Sequence, residues 1–174
     1  MNCNLFNFTV EVTRKCNMKC AHCLRGDAQP IDIDVKHIDS VLDQVDAIEN
    51  LYFTGGEPTL NLDAIQYIFE GLCKRDIPLT AVKLYSNGKI FDARLVSIME
   101  DYHNKLGSAI HFAVSLDYYH ENRDICLANF EKYRNAMSNF AKEMYIARGG
   151  NRIWKTGRAS DLEGAIDLSE LYKT

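Results

Sequence analysis

The chain has 174 residues, of which 47% are hydrophobic, so it is long enough for one sizeable core and too short for two ordinary domains. A net charge of -4 argues against a general electrostatic nucleic-acid binder, which needs a basic face. No run approaches the roughly 18 apolar residues of a membrane span and no signal-peptide pattern opens the chain, so we expect one cytoplasmic domain over 1–174, without membrane or nucleic-acid partners.

The first half of the chain alternates strand and helix patterns. Apolar residues at every second position predict a strand over Leu5–Val12. Asp34 is a suitable N-cap for a helix whose apolar residues continue at spacings of three and four as far as Ile48. A short strand at Leu51–Thr54 and a helix capped by Asn61 then repeat the unit.

Two further units follow. A strand over Thr80–Ser86 precedes a helix that begins near Asp92, and a fourth strand covers Ile110–Leu116. Helical spacing from Tyr133 to Ala147 predicts one long helix, and Arg152–Thr156 predicts a last short strand. Such alternation predicts an α/β fold with parallel strands and outer helices. Four clear units and a fifth partial one predict an open partial (β/α) barrel of about five to six strands.

The loop after the first strand holds three closely spaced thiols. Cys16, Cys20 and Cys23 stand in the pattern Cys-x-x-x-Cys-x-x-Cys, and so short a loop can direct three thiolates at one centre. Sulfur favours iron-sulfur clusters or zinc over hard cations. Both usually take four protein ligands, so three predict a fourth position filled by another group. Spacing alone leaves open a cluster with one free iron, or zinc with His22 or a distant residue as the fourth ligand.

Other polar motifs fall where predicted strands end, and these ends share one edge of a parallel sheet. The motifs are Gly55-Gly56-Glu57-Pro58, Ser86-Asn87-Gly88 and Ser115-Leu116-Asp117. Strand alternation directs a further set of polar side chains into the barrel: Glu11, Tyr52, Lys83, Tyr85, Asn87, His111, Ser115 and Asp117. A polar interior predicts a cavity that holds water or a polar ligand, and an amphipathic sheet facing solvent is the alternative.

The cysteine pattern after an N-terminal strand resembles the signature of the radical S-adenosylmethionine (SAM) enzymes. One strand downstream, Gly55-Gly56-Glu57 is similar to the Gly-Gly-Glu motif of that family. The resemblance runs roughly from Phe8 to Asp117. The chain departs from the family pattern because it lacks a Gly-x-Ile-x-Gly-x-x-Glu segment. The interval after Asp117 has room for one long helix, so we expect a shortened core.

The resemblance implies a cofactor set and the residues that bind it. Cys16, Cys20 and Cys23 would hold a [4Fe-4S] cluster whose open iron binds SAM. His22 would lie against the adenine, and the Gly-Gly-Glu motif would meet the methionine amino group. The implied SAM-binding residues are His22, Gly55, Gly56, Glu57, Asn87, Ser115 and Asp117.

The same resemblance implies an activity. An external flavodoxin- or ferredoxin-like reductant would supply one electron for the cleavage of SAM, and the resulting radical would abstract hydrogen from an unidentified small molecule or peptide. Candidate substrate contacts are Lys83, Tyr85, His111, Arg152 and Arg158, from inward alternation and nearby charge. Gly157-Arg158-Ala159 also resembles a segment of peptide-modifying members. The alternatives are an activase of glycyl-radical enzymes and a zinc or iron-sulfur module without SAM turnover.

Overall fold

Five parallel strands form one open sheet in the order β1-β2-β3-β4-β5. The structure is a computed structural model, and it describes residues 3–148, 153 and 155–166. The strands are β1 (Cys3–Thr13), β2 (Val45–Gly55), β3 (Leu79–Ser86), β4 (Ala109–Ser115) and β5 (Ala141–Ala147). The helices between them are α1 (Val35–Leu42), α2 (Leu62–Lys74), α3 (Ala93–Leu106) and α4 (Arg123–Ala136). The predicted α/β class and unclosed parallel sheet are confirmed.

Strand order follows chain order without reversal, as in a barrel and unlike a doubly wound sheet. All carboxyl ends of the strands therefore meet at one edge. This is the edge to which the sequence assigns the cysteine loop and the polar motifs. Within the described residues, none of the helices is both long and apolar enough to cross a membrane.

The main core lies between the sheet and the helices. Phe53 of β2 contacts Phe69 of α2 edge-on at 5.3 Å between ring centroids, and Phe69 stacks on Tyr102 of α3 at 4.6 Å. All three side chains are buried. Burying one such aromatic side chain stabilises the fold by roughly 1.5–3 kcal/mol, so these contacts fix the helices on one face and leave the other face to polar residues.

Side-chain caps begin three of the helices, at the positions that the sequence predicts. Asp34, Asn61 and Asp92 each accept a hydrogen bond from a backbone N–H in the first turn of the helix that follows. Asn61 also donates from Nδ2 to the carbonyl of Val12 at 2.8 Å. This second bond ties the start of α2 to the end of β1, next to the cysteine loop.

The first predicted helix is too long. It ends at Leu42, and the residues assigned to its last turns, Val45 and Ile48, begin β2. Their spacing of three continues the helical pattern, but parallel pairing with β1 buries both of them in the sheet. The second strand is accordingly longer than predicted.

The predicted long helix after the fourth strand is also wrong in its second half. Helix α4 ends at Ala136, and Met144 and Ala147 belong to β5, where Met144 pairs with Phe112 of β4. The strand predicted at Arg152–Thr156 falls partly on Arg152 and Trp154, which lie outside the described residues. The described part of the chain contains no sixth strand.

Candidate cofactor site

Three free thiols lie in the loop that follows β1. Cys16, Cys20 and Cys23 line one cavity of about 280 Å³ at the carboxyl edge of the sheet. Burial raises the pKa of the Cys16 and Cys20 thiols, so a metal that binds them as thiolates must displace protons. The three other cysteines lie on different elements, at Cys3, Cys73 and Cys126. The three loop cysteines thus line one cavity, and their binding of a shared metal centre stays a prediction.

The surroundings of the thiols suit an iron-sulfur cluster. Asn87 Nδ2 lies 3.9 Å from Cys16 Sγ, within the range of a weak N–H···S hydrogen bond. Hydrogen bonds to sulfur are one of the means by which proteins tune such clusters. The loop sulfurs supply three soft ligands, and the same cavity is also lined by Ser86, Asn87 and Ser115. These residues fit a centre with three protein ligands and a polar co-ligand.

Gly55 and Gly56 bring the end of β2 against the backbone that enters the cysteine loop. A Cβ at Gly55 would lie 2.3 Å from the carbonyl oxygen of Thr13, and one at Gly56 would lie 2.3 Å from that of Lys15. Gly56 N donates to Thr13 O and Glu57 N donates to Lys15 O, both at 2.8 Å. The two glycines are therefore required by close packing of backbone on backbone.

Glu57 is buried, and both of its carboxylate oxygens accept hydrogen bonds within the protein. Oε1 accepts from Thr59 N, Thr59 Oγ1 and Ser86 Oγ, and Oε2 accepts from Asn87 N at 2.7 Å. Burial raises the pKa of this carboxyl. Three of these bonds fall on Oε1 and one on Oε2, and those from Ser86 and Asn87 join the end of β2 to the end of β3. Its direct contact with a SAM amino group stays a prediction.

His22 and Asp117 meet at the edge of the same cavity, together with His120. His22 Nε2 lies 3.1 Å from Asp117 Oδ2, and His120 Nδ1 lies 2.8 Å from Asp117 Oδ1. Burial lowers the pKa of His22, which keeps its ring neutral at pH 7. The ligand atoms of the three residues lie within 4.8 Å of one another, a spacing that also suits a metal ion. Asp117 contacts both imidazole rings through its two carboxylate oxygens, so we interpret the group as an anchor for the His22 ring.

His120 is a further histidine of this group, which the motifs of the sequence do not single out. The structure places its side chain beside His22, with ring centroids 5.0 Å apart. His120 lies three residues after Asp117 in the sequence, and this separation allows a contact across the turn.

Polar side chains on the inner face of the sheet pair across neighbouring strands. Lys83 Nζ donates to the Tyr52 hydroxyl at 3.1 Å, and His111 Nδ1 lies 2.9 Å from Glu143. The hydroxyl of Tyr85 lies 3.0 Å from that of Tyr145. The sequence did not predict that Glu143 and Tyr145 lie on the inner face, because their strand β5 was assigned to a helix.

The five candidate substrate contacts fall in different places. Tyr85 lines the cavity that contains the cysteines, and Lys83 and His111 lie deeper on the same face of the sheet. Arg158 instead contacts the cysteine loop, where its Nε donates to Cys20 O at 2.9 Å. Arg152 lies outside the described residues.

A second cavity of about 290 Å³ adjoins the first one. Both cavities are lined by Cys16, Cys23, Leu24, Arg25 and Arg158, so they meet at the cysteine loop. Leu24 is 62% exposed, which places an apolar side chain at the open side of both. The cysteine loop therefore borders both cavities.

The chain belongs to the Radical SAM superfamily. The model of that superfamily matches residues 10–150, which include the cysteine loop and the strand ends that form the site. The family that the cysteine and Gly-Gly-Glu patterns indicate is confirmed.

Two solved structures and one curated protein are similar to the chain. Native anSMEcpe with bound AdoMet and Cp18Cys peptide has a TM-score of 0.56 and 21% identity, and the match covers 82% of this chain and 42% of that one. Streptococcus suis SuiB bound to precursor peptide SuiA has a TM-score of 0.47 and 13% identity, with 97% and 44% covered. An uncharacterized protein of Methanocaldococcus jannaschii is 33% identical over 64 residues, 35% of this chain and 22% of that protein.

The chain therefore spans less than half the length of each of these proteins. The anSMEcpe structure shows a shared fold, and it confirms the prediction of a partial barrel of the radical SAM type.

Proposed function

We propose that the chain holds a [4Fe-4S] cluster through Cys16, Cys20 and Cys23 and uses it to cleave SAM reductively and abstract hydrogen from a substrate. One observation carries this proposal. Three free thiols meet the Gly-Gly-Glu loop in one cavity, in a chain of the Radical SAM superfamily. When bound, the cluster would pass one electron from an external flavodoxin- or ferredoxin-like donor to SAM, giving methionine and a 5′-deoxyadenosyl radical.

The residues of the chain contribute binding and orientation. His22 is the proposed adenine contact, and Asp117 holds its ring in place at 3.1 Å. Ser115 and Asn87 line the cavity, where a hydroxyl and an amide can bind the ribose or the carboxylate of SAM. Glu57 fixes the ends of β2 and β3 and thereby the positions of the glycines. Such fixed groups favour a reactive geometry and exclude water from the reacting centre.

The substrate is proposed to be a small molecule or a peptide. Tyr85 is the candidate contact nearest to the cysteines, and Lys83 and His111 extend the polar face behind it. A peptide is the class to test first, because the solved structure of the same fold has AdoMet and a peptide bound. The exposed Leu24 at the open side of the cavities is accessible to such a partner.

Anaerobic reconstitution tests this function directly. The protein is loaded with iron and sulfide, reduced with dithionite and mixed with SAM, and the products are separated by chromatography. We expect a brown protein that releases 5′-deoxyadenosine and methionine. Cys16→Ala should abolish both the colour and the nucleoside, whereas Cys73→Ala, which alters a half-buried cysteine on α2, should leave both unchanged.

Two results would overturn the proposal. A colourless protein with stoichiometric zinc would indicate a structural metal module. A brown protein that forms no 5′-deoxyadenosine would indicate a cluster without SAM turnover.

A further inference from the structure

A segment near the end of the described chain is hydrogen-bonded to the cysteine loop. Arg158 Nε donates to the carbonyl of Cys20 at 2.9 Å, although the two residues are 138 positions apart. The backbone N–H of Arg158 donates to the carbonyl of Cys23 at 3.0 Å. Arg158 therefore contacts the backbone of two of the three cysteines with two different donors.

Gly157 makes this contact sterically possible. A Cβ at this position would lie 2.3 Å from the carbonyl oxygen of Cys23 and 2.5 Å from that of Leu24. The φ angle of Gly157 is 57°, in the left-handed region that favours glycine. The next residue, Ala159, is fully buried. The segment is thus fitted closely against the loop.

The two carbonyls that Arg158 contacts already close turns within the loop. Cys23 N donates to Cys20 O at 3.1 Å, and Gly26 N donates to Cys23 O at 3.2 Å. Arg158 adds a second donor to each of these carbonyl oxygens. The turn that contains Cys20 and the turn that contains Cys23 are therefore both held from outside the loop.

The guanidinium of Arg158 also brings a permanent positive charge to the cysteine loop. Its ion-pair partner is Asp27 at 3.2 Å, whose side chain is 89% exposed, so water screens this pair. Arg158 lines the cavity that contains all three loop cysteines. A positive charge in this position stabilises the reduced state of a bound centre, because reduction makes the centre more negative.

We propose that Gly157 and Arg158 form a latch on the cysteine loop, with Arg158 as a positioning residue for the cluster. The latch has two effects. It orders the turns at Cys20 and Cys23 before any cluster binds, and its charge raises the reduction potential of the bound cluster. The first effect is independent of the proposed function, and the second rests on it. This role differs from the substrate contact that the sequence predicts for Arg158.

Amide hydrogen exchange on the metal-free protein tests the ordering of the loop. Arg158→Gln removes the bond to Cys20 O, and we expect the amides of Cys23 and Gly26 to exchange about tenfold faster, as for the loss of a charged hydrogen bond. Arg14→Gln is the matched control, because Arg14 lines the adjoining cavity and, among the residues that the structure describes, its guanidinium contacts Glu11 and Gln29 and not the loop carbonyls. Unchanged exchange in Arg158→Gln, with normal protection of β3, would overturn the latch.

Arg158→Lys keeps the charge and the backbone donor but lacks the Nε donor. It serves as the second variant if Arg158→Gln does not fold, and we again expect faster exchange at Cys23 and Gly26. Wild-type exchange in this variant would show that the Nε bond does not order the loop and would also overturn the latch.

A redox titration of the reconstituted protein, followed by electron paramagnetic resonance, tests the effect of the charge. We expect a lower midpoint potential in Arg158→Gln and a potential close to wild type in Arg158→Lys and Arg14→Gln. An unchanged midpoint in Arg158→Gln would overturn the charge effect. If the wild-type protein binds no cluster, the proposed function fails, while the exchange measurement still decides whether the latch exists.

Discussion

The backbone N–H of Asn87 donates to the carboxylate of Glu57 at 2.7 Å, although the two residues follow different strands. Asn87 in turn places its side-chain amide 3.9 Å from Cys16 Sγ. A continuous set of polar contacts thus joins the ends of β2 and β3 to the cysteine loop. Groups held in this way are ordered before a cofactor arrives, which is the condition for a precise binding site.

Glu57→Gln should destabilise the fold although it preserves the shape of the side chain. A glutamine that accepts from Thr59 and Ser86 must direct its own NH₂ group at the N–H of Asn87, so a buried donor loses its acceptor. We expect the free energy of unfolding to fall by about 2 kcal/mol. Urea unfolding measures the change, with the exposed Glu100 changed to Gln as the control. Equal losses in the two variants would contradict a structural role for Glu57.

Gly56→Ala should displace the cysteine loop. The added Cβ would lie 2.3 Å from the carbonyl oxygen of Lys15 and 2.9 Å from that of Arg14, and backbone cannot move away as easily as a side chain can. Overpacking of this kind costs about 1–3 kcal/mol, measured by urea unfolding. We also expect lower iron content after reconstitution.

Gly107→Asn is the control for the glycine prediction. No atom lies within 4 Å of a Cβ at Gly107, and asparagine tolerates its φ of 67°. Iron retention at the wild-type level in Gly56→Ala would mean that this close contact does not position the loop.

Asp117→Asn should weaken SAM binding without loss of iron. Asp117 holds the His22 ring at 3.1 Å, and an amide in its place turns one of the two acceptor oxygens into a donor. We expect SAM affinity to fall by about tenfold, as for the loss of one charge-assisted hydrogen bond. The spectral change of the reduced cluster during a SAM titration reports the affinity. Glu121→Gln is the control, since Glu121 is an exposed carboxylate near the cysteine loop. A parallel loss of iron would indicate that Asp117 supports the loop instead.

Local patterns were sufficient to predict much of the fold and the sheet edge at which the polar motifs meet. The caps at Asp34, Asn61 and Asp92 depend on hydrogen bonds within one helical turn. A short stretch of sequence is therefore enough to predict them. The polar motifs meet because each one follows a strand in a parallel sheet. Their common edge is a consequence of topology, which the alternation of strands and helices predicts.

The errors concern residues whose role depends on distant partners. Met144 lies four residues after Phe140, which is a helical spacing. Its segment is a strand because it pairs with the backbone of β4 at Phe112. The contact of Arg158 with Cys20 joins residues that no local pattern relates. The hydrogen bonds of Glu57 with Ser86 and Asn87 likewise join residues that become neighbours only in the folded chain.

The tyrosine pair on the inner face predicts a loss of stability at alkaline pH. The hydrogen bond from Tyr145, together with burial, raises the pKa of Tyr85 to about 12. An unfolded tyrosine loses its proton at about pH 10, so between these two values the folded state binds more protons than the unfolded state. The free energy of unfolding must therefore decrease as the pH rises from about 10 to about 12. For this partly exposed pair we expect a loss of about 1 kcal/mol, reduced by solvent screening.

Tyr145→Phe should make this pH dependence less steep, because the pKa of Tyr85 then returns toward its ordinary value. Urea unfolding followed by circular dichroism at about pH 9 and about pH 11 measures the slope. Tyr118→Phe is the control, since Tyr118 is 83% exposed. Burial also raises the pKa of Tyr102 to about 12, so part of the slope should persist in Tyr145→Phe. A slope identical to that of the wild type would show that the bond between Tyr85 and Tyr145 does not influence the titration.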